Sequence, residues 1–346
     1  MIVKGNYFDK LIIKIMKKNS IIIGIDVSKL TLDVYIQSIA FHFVIENAPK
    51  GFAKLLETTC KMCNCKKKDL FICFENTGKY SRMLSVFLHS QSITYVMVPA
   101  LEIKKSLGMT RGKNDRIDSQ RIANYAFEKK QKLVPTAMPG KEIDQLKMML
   151  SLREKLIKHR TAYKNGIQDL YDCFEEGETL IIKESQKRLI CSLNDEIEIL
   201  ENKILAIIKN NQNMAENFDL IQSITGIGKI TAWYLIAYTG NFTMFPNARS
   251  FACYTGIAPF ANSSGTVVGK PRVHHYANKQ MKSILNMAAM SAIQLKGEFK
   301  VYYEKRIIEL GKNKMSTLNI IRNKLLYRVF AVINRKTPYV NLYKFA

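Results

Sequence analysis

Between residues 190 and 207 the apolar side chains step 3, 4, 3, 4, 3: Ile190, Leu193, Ile197, Leu200, Ile204 and Ile207. Only a helix puts that spacing on one stripe. A looser series precedes it, running through Leu146, Met149, Leu156, Tyr163, Ile167, Leu170 and Phe174, and residues 174–179, with Gly177, supply a reversal. The spacing predicts a long antiparallel helical hairpin, or coiled coil, over residues 141–215. That stretch holds 12 basic and 13 acidic side chains. Balanced charge suits packing against another helical hairpin, in the same chain or from a second subunit, better than it suits a polyanion.

The stripe divides the chain into parts of different period. Residues 1–18 read as an N-terminal extension. Residues 19–135 alternate strand-like and helix-like segments. Ile21–Val27 is a short apolar run of the buried-strand type, and residues 30–37 and 41–45 complete a three-strand meander. Residues 70–74 and 94–98 give two more strands; residues 51–62, 79–91 and 115–129 have helical spacing. That mixture predicts an α/β domain. Residues 216–346 are helix-like and punctuated by glycines. From residue 265 onward there are 16 Lys or Arg against 3 acids, more than half of the excess carried by the whole chain.

That excess is large: 53 basic against 29 acidic residues, a net +24. A protein so basic commonly neutralises nucleic acid, and the footprint is expected to be heaviest in the last quarter. Seven scattered cysteines argue against a disulfide framework and for a reducing compartment. Cys60, Cys63 and Cys65 lack the second Cys/His pair of a zinc finger. Lys10, Lys14, Lys17 and Lys18 interrupt the apolar start of the chain and no run of 18 uncharged apolar residues occurs, so a cytoplasmic, nucleoid-associated protein without a membrane partner is expected.

Four acids form an ordered set. Asp26 closes the first strand, Glu75 the fourth, and Asp115 and Asp118 stand three apart at the head of a predicted helix. Residues three apart lie on one helix face. Carboxylates brought together repel unless a cation sits among them, and an all-oxygen set suits Mg²⁺ or Mn²⁺. Such a centre can catalyse phosphodiester chemistry.

Two further motifs lie downstream. Ser223–Ala232, with Gly226, Gly228 and Lys229, reads as helix, tight turn, helix, an arrangement that lets backbone N–H groups approach a phosphate. Ser263-Ser264-Gly265 reads as a turn able to present a hydroxyl to a phosphate, with Lys270 and Arg272 close in sequence to offset charge. Ser264, directly before Gly265, is preferred over Ser263 as the nucleophile. His274 and His275 follow in the same basic loop, where phosphate contact or simple exposure is a better reading than catalysis.

Taken in order, these motifs resemble the DEDD transposases of the insertion sequence one-hundred-ten family, relatives of the Piv/MooV invertases. The resemblance runs from about residue 20 to 340. It rests on Asp26, Glu75, Asp115 and Asp118, then Thr225-Gly226-Ile227-Gly228, Tyr254-x-Gly256-Ile257-Ala258-Pro259, Ser263-Ser264-Gly265 and Arg322-x-Lys324-Leu325-Leu326. Asn114 replaces a Thr usual before the third acid, and Ala277-Asn278 stands where Gly-Asn is common. The resemblance implies a RuvC-like, RNase-H-fold domain over 19–135 and a mostly helical C-terminal transposase domain over 216–346. It implies a Mg²⁺ site on the four acids, a serine nucleophile, and guidance by a noncoding bridge RNA that pairs with donor and target DNA. It further implies a homo-oligomer, dimer or tetramer, with sites shared across subunits. The rival readings are a junction resolvase using only the DEDD site and an actin-like ATPase or sugar kinase suggested by Ile23–Ser28. No second phosphate loop supports the kinase.

Overall fold

A computed structural model describes residues 20–106, 114–138, 140–173, 179–264, 267–273 and 276–340. The chain divides into two units, Met1–Met138 and Pro139–Ala346. His274, His275 and Gly265 lie outside the described residues.

The N-terminal unit is built on one five-stranded sheet. Its strands are β1 (Ile21–Val27), β2 (Thr31–Ile36), β3 (Phe41–Glu46), β4 (Leu70–Glu75) and β5 (Thr94–Val98), in the order β3-β2-β1-β4-β5. The meander pairs antiparallel; β1–β4 and β4–β5 pair parallel. The parallel strands are nearly continuous apolar runs because both of their faces are covered. On one face, α1 (Pro49–Cys63) and α2 (Lys79–Ser90) bury Phe52, Leu55, Leu84 and Leu88 against Ile23, Ile25 and Phe74. On the other, α3 (Ala100–Ser106) and α4 (Asp115–Lys129) bury Ile103, Ile122 and Ala126 against Ile22, Phe71 and Cys73. Alternate side chains of β1 thus serve two separate cores.

The C-terminal unit opens with two long helices, α5 (Lys141–Cys173) and α6 (Leu180–Asn210). They run antiparallel: Arg153 donates to Glu201 at 2.7 Å, and Arg160 to Asn194 at 2.9 Å. Within α6 the buried apolar side chains are Ile197, Leu200, Ile204 and Ile208, while Ile190, Leu193 and Ile207 are half-buried. The strict heptad drifts because a straight helix turns every 3.6 residues, so Ile208 rather than Ile207 faces inward. The base of this pair is continuous with the core of the remaining helices. Ile143, Leu146, Leu150, Ile204 and Ile208 pack in one cluster with Trp233, Phe251, Leu285 and Leu325. That cluster is enclosed by α7 (Gln212–Gln222), α8 (Lys229–Thr239), α9 (Ala248–Tyr254), α10 (Lys279–Gln294), α11 (Glu298–Glu304) and α12 (Lys314–Arg335).

A two-stranded ribbon, β6 (Pro259–Ser264) with β7 (Val267–Val273), interrupts the helices. Ser263 and Ser264 therefore belong to a strand, opposite Val268 and Val267, rather than to the turn expected from the sequence. Among the described residues no helix is long and apolar enough to cross a membrane.

Candidate active site

Register places the first two acids. Ile25 of β1 pairs with Phe74 of β4, and both side chains enter the core under α1 and α2. Asp26 and Glu75 are one residue further along parallel neighbours, so both emerge on the opposite face, the face that α4 covers. Helix α4 supplies the other two acids from its first turn. Asn114 caps it, its side chain accepting from Arg116 N at 3.0 Å. Acids in the first turn of a helix are favoured by its dipole, which offsets part of their mutual repulsion.

Gly24 sets the approach of α4 to β1. A Cβ there would stand 2.3 Å from Ala123 N and 2.3 Å from the Ser119 carbonyl oxygen. Ser119 and Ala123 are fully buried, so neither can give way cheaply. Glycine thus lets the helix backbone lie directly on the strand, two residues before Asp26. The result is a cluster: one oxygen each from Asp26, Asp115 and Asp118 lie within 4.8 Å of one another. Glu75 adds its charge to the same field. Burial first, and then the charges of Asp115, Asp118, Glu75 and Asp33, together push the Asp26 carboxyl up to about 6. Arg121 donates to Asp118 at 2.9 Å, a partial neutralisation from within α4. An excess of carboxylate oxygen in a half-buried cleft fits a hard divalent cation.

Three residues that sequence reasoning missed support this centre. Gly24 is one. Asn47 is the second: its amide donates to the Ser28 carbonyl at 2.8 Å and to the Tyr80 carbonyl at 3.1 Å, fastening the segments that follow Asp26 and Glu75 to each other. Asp33, the cross-strand partner of Asp26, is the third. It is nearly buried and bonded to His42 at 2.8 Å. Gly24 and Asn47 leave no local signal, because each acts through partners far away in sequence.

The second unit carries the other predicted residues. Gly226 takes φ +90°, and a Cβ there would meet Ala292 Cβ at 2.4 Å. Its role is close packing of the turn on α10. Gly228, the residue before α8, has open space instead. Lys229 donates to Glu201 at 2.8 Å, and Arg153 holds the same carboxylate. Burial alone would raise the Glu201 pKa, but these two hydrogen-bonded cations bring it below its ordinary value. Lys229 therefore braces the hairpin to the glycine turn. Residues 254–259 are clamped by the N-cap of α10 and by α12. Asn278 donates to Tyr254 Oη at 2.8 Å, and Asn319 and Asn323 both donate to the Ile257 carbonyl at 2.9 Å. The ribbon leaves this clamp. Arg272 is exposed on β7, and Arg249, a cation that sequence reasoning overlooked, donates to the Pro259 carbonyl and stacks 5.2 Å from the Phe260 ring.

A mixed five-stranded sheet of this order, with acids at a parallel strand end and a helix start, is consistent with an RNase-H-like domain of the DEDD type, followed along the chain by a helical C-terminal unit. Comparison with known proteins narrows the class. A transposase model of the DEDD type of the IS110 elements matches residues 23–173, and the model described as "Transposase IS116/IS110/IS902 family" matches residues 218–304. The chain is 27% identical to the pilin gene-inverting protein of Moraxella bovis over 331 residues, 92% of this chain and 97% of that protein. It is 26% identical to the transposase for insertion sequence element IS1111A of Coxiella burnetii, covering 66% of this chain and 68% of that one. The chain belongs to the IS110 family of transposases and is a DNA transposase/recombinase.

Proposed function

We propose that this enzyme cleaves and rejoins DNA with two chemical parts, the acid centre around Asp26 and a serine of the β6–β7 ribbon. The observation that carries the reading is the convergence of Asp26, Asp115 and Asp118, with Glu75 on the same face of the sheet. These four acids would hold Mg²⁺, with Mn²⁺ an acceptable substitute. Bound there, a divalent ion supplies charge neutralisation at the transferring phosphate.

Ser264 is the nucleophile in this reading. Its Oγ forms an ester bond to phosphorus as the bond to the leaving deoxyribose oxygen breaks, and its proton passes to that oxygen or to solvent. Attack by the hydroxyl of the second DNA end reverses the step and frees the serine. Lys270 and Arg272 offset phosphate charge beside it, and the backbone at Gly226 and Gly228, with Lys229 bracing the turn, approaches the duplex backbone. A noncoding bridge RNA selects donor and target by base pairing, a division of labour that suits a protein of charge +24 holding several strands. Synapsis of two duplexes calls for a homo-oligomer, dimer or tetramer.

Covalent trapping tests this. The protein is incubated with bridge RNA and a nicked donor duplex and resolved on a denaturing gel. A protein–DNA adduct that disappears in Ser264→Ala and persists in Ser263→Ala is the expected result. Loss only in Ser263→Ala moves the nucleophile by one residue. Metal-dependent cleavage without any adduct would instead favour a resolvase that uses the acids alone.

A further inference from the structure

The root of the ribbon gathers an aromatic ring and two cations. Phe260 of β6 pairs with Arg272 of β7. Residues directly opposed across an antiparallel pair project from the same face, about 5 Å apart at Cβ. Arg249 of α9 brings a second guanidinium to 5.2 Å from the centre of the same ring. The Phe260 ring is 42% exposed, and both arginines are exposed.

One arginine against one phenylalanine is ordinary packing. The charge around this pair is not ordinary. Residues 220–297 contain seven Lys or Arg and not one Asp or Glu. Among the described residues neither Arg249 nor Arg272 has an ion-pair partner. A field of one sign, left without counter-charge by its own chain, draws an anion. The site is also held in place. Arg249 donates to the Pro259 carbonyl at 2.9 Å, and Asn319 and Asn323 hold the Ile257 carbonyl. A ring fixed so close to its anchor loses little freedom when a flat group stacks on it.

We propose that Phe260, Arg249 and Arg272 form a binding site for an unpaired nucleotide of a nucleic-acid strand. Its base stacks on the Phe260 ring, and the two guanidinium groups meet the flanking phosphates. A base inside a duplex is already stacked on its neighbours and has no face to offer, while a phosphate alone gains nothing from an apolar ring. Every base has such a face, so the site accepts any sequence. Phe260 stands four residues before Ser264 on the same strand. The proposal rests on the reading that the ribbon meets nucleic acid, and not on which group is the nucleophile.

The test titrates the full-length protein, by fluorescence anisotropy, into labelled oligothymidylate, oligouridylate of equal length and a duplex of that length. Phe260→Leu should weaken binding of at least one single strand about tenfold and of the duplex by less than about twofold. The strand that loses more identifies the source as DNA or RNA. Phe260→Trp should keep the parental affinity. Arg272→Gln should lower the slope of log affinity against log salt by about 0.7 for the single strand. Equal losses for single strand and duplex, no loss in Phe260→Leu, an unchanged slope, or a loss in Phe260→Trp as large as in Phe260→Leu overturns the proposal. In the parent protein, a single strand carrying iodouracil should crosslink on irradiation to the peptide that contains Phe260; crosslinks only to other peptides overturn it as well. Melting curves that match the parent keep misfolding from imitating the expected losses. No step of the assay cuts DNA, so its failure and a failure of the serine reading are told apart.

Discussion

The acid centre and the serine ribbon are built on opposite plans. Asp26 and Glu75 are fixed by strand register, and Asp115 and Asp118 by a capped helix that Gly24 seats directly on β1. Three oxygens converge without help from any other chain. Ser264 stands at the end of a strand that, among the described residues, pairs with β7 alone, anchored at its root by Asn278, Asn319, Asn323 and Arg249. A preorganised centre costs little to complete, whereas a group on a two-stranded ribbon gains its setting from what binds it. The contrast teaches that the acids can be dissected in the free protein, while the serine has to be dissected with DNA present.

Removing one acid should break the first half most severely. Asp26→Asn is expected to lower strand cleavage about a thousandfold, measured by single-turnover kinetics with Mg²⁺, without loss of folding. Retention of near-parental activity would remove Asp26 from the centre. Gly24→Ala should come next. The new methyl group has nowhere to go against Ala123 and Ser119, so the N-terminal unit should lose about 2 kcal/mol or more in denaturant titration. Its divalent-ion affinity should fall with it, because α4 carries two of the ligands away. A stable variant with parental ion affinity would show that the helix does not need this approach.

The third effect is a pH dependence. Asp26 titrates near 6 in the folded chain against an ordinary 3.8, so it holds its proton more tightly when folded. Its contribution to stability is complete below about pH 4 and is lost as the pH rises through 6. Without divalent ions, Asp26→Asn should therefore become more stable than the parent above pH 6 and match it near pH 4. Parallel stability curves would contradict the crowding of charge. The smallest effect sharpens the other unit. Gly226→Ala, strained at φ +90° and blocked by Ala292, should cost about 1–3 kcal/mol. Gly228→Ala, with open space around it, should change stability by less than about 1 kcal/mol yet still weaken DNA binding in a filter or anisotropy assay. Equal losses of stability would remove the distinction between the two glycines.

The sequence was unequally informative about the two halves. The period-2 and period-3.6 patterns placed all five strands of the sheet and helices α1, α2 and α4 because each is long enough, or apolar enough, to declare itself. The acids were legible for the same reason: they sit at the ends of such elements. Gly24 and Asn47 were not, since their importance lies in contacts with residues 119, 123 and 80. The ribbon was misread as a turn because Asn262, Ser263, Ser264 and Gly265 have the composition of one, and a register shift between Phe260 and Asn262 breaks the alternation a strand would show. Lys229, expected at a phosphate-approaching turn, is also held by Glu201, 28 residues earlier, a partner that the local sequence does not reveal.

The antiparallel pairing of α5 and α6 has a consequence for reach. A helix of 31 residues is about 46 Å long, close to the rise of 14 base pairs of duplex at roughly 3.4 Å each. Adding seven residues to each arm would turn the inward face by only about 20° and move the tip outward by about 10 Å. Arm length is thus a variable that can change without retooling either end, in the way a caliper is opened to a new span.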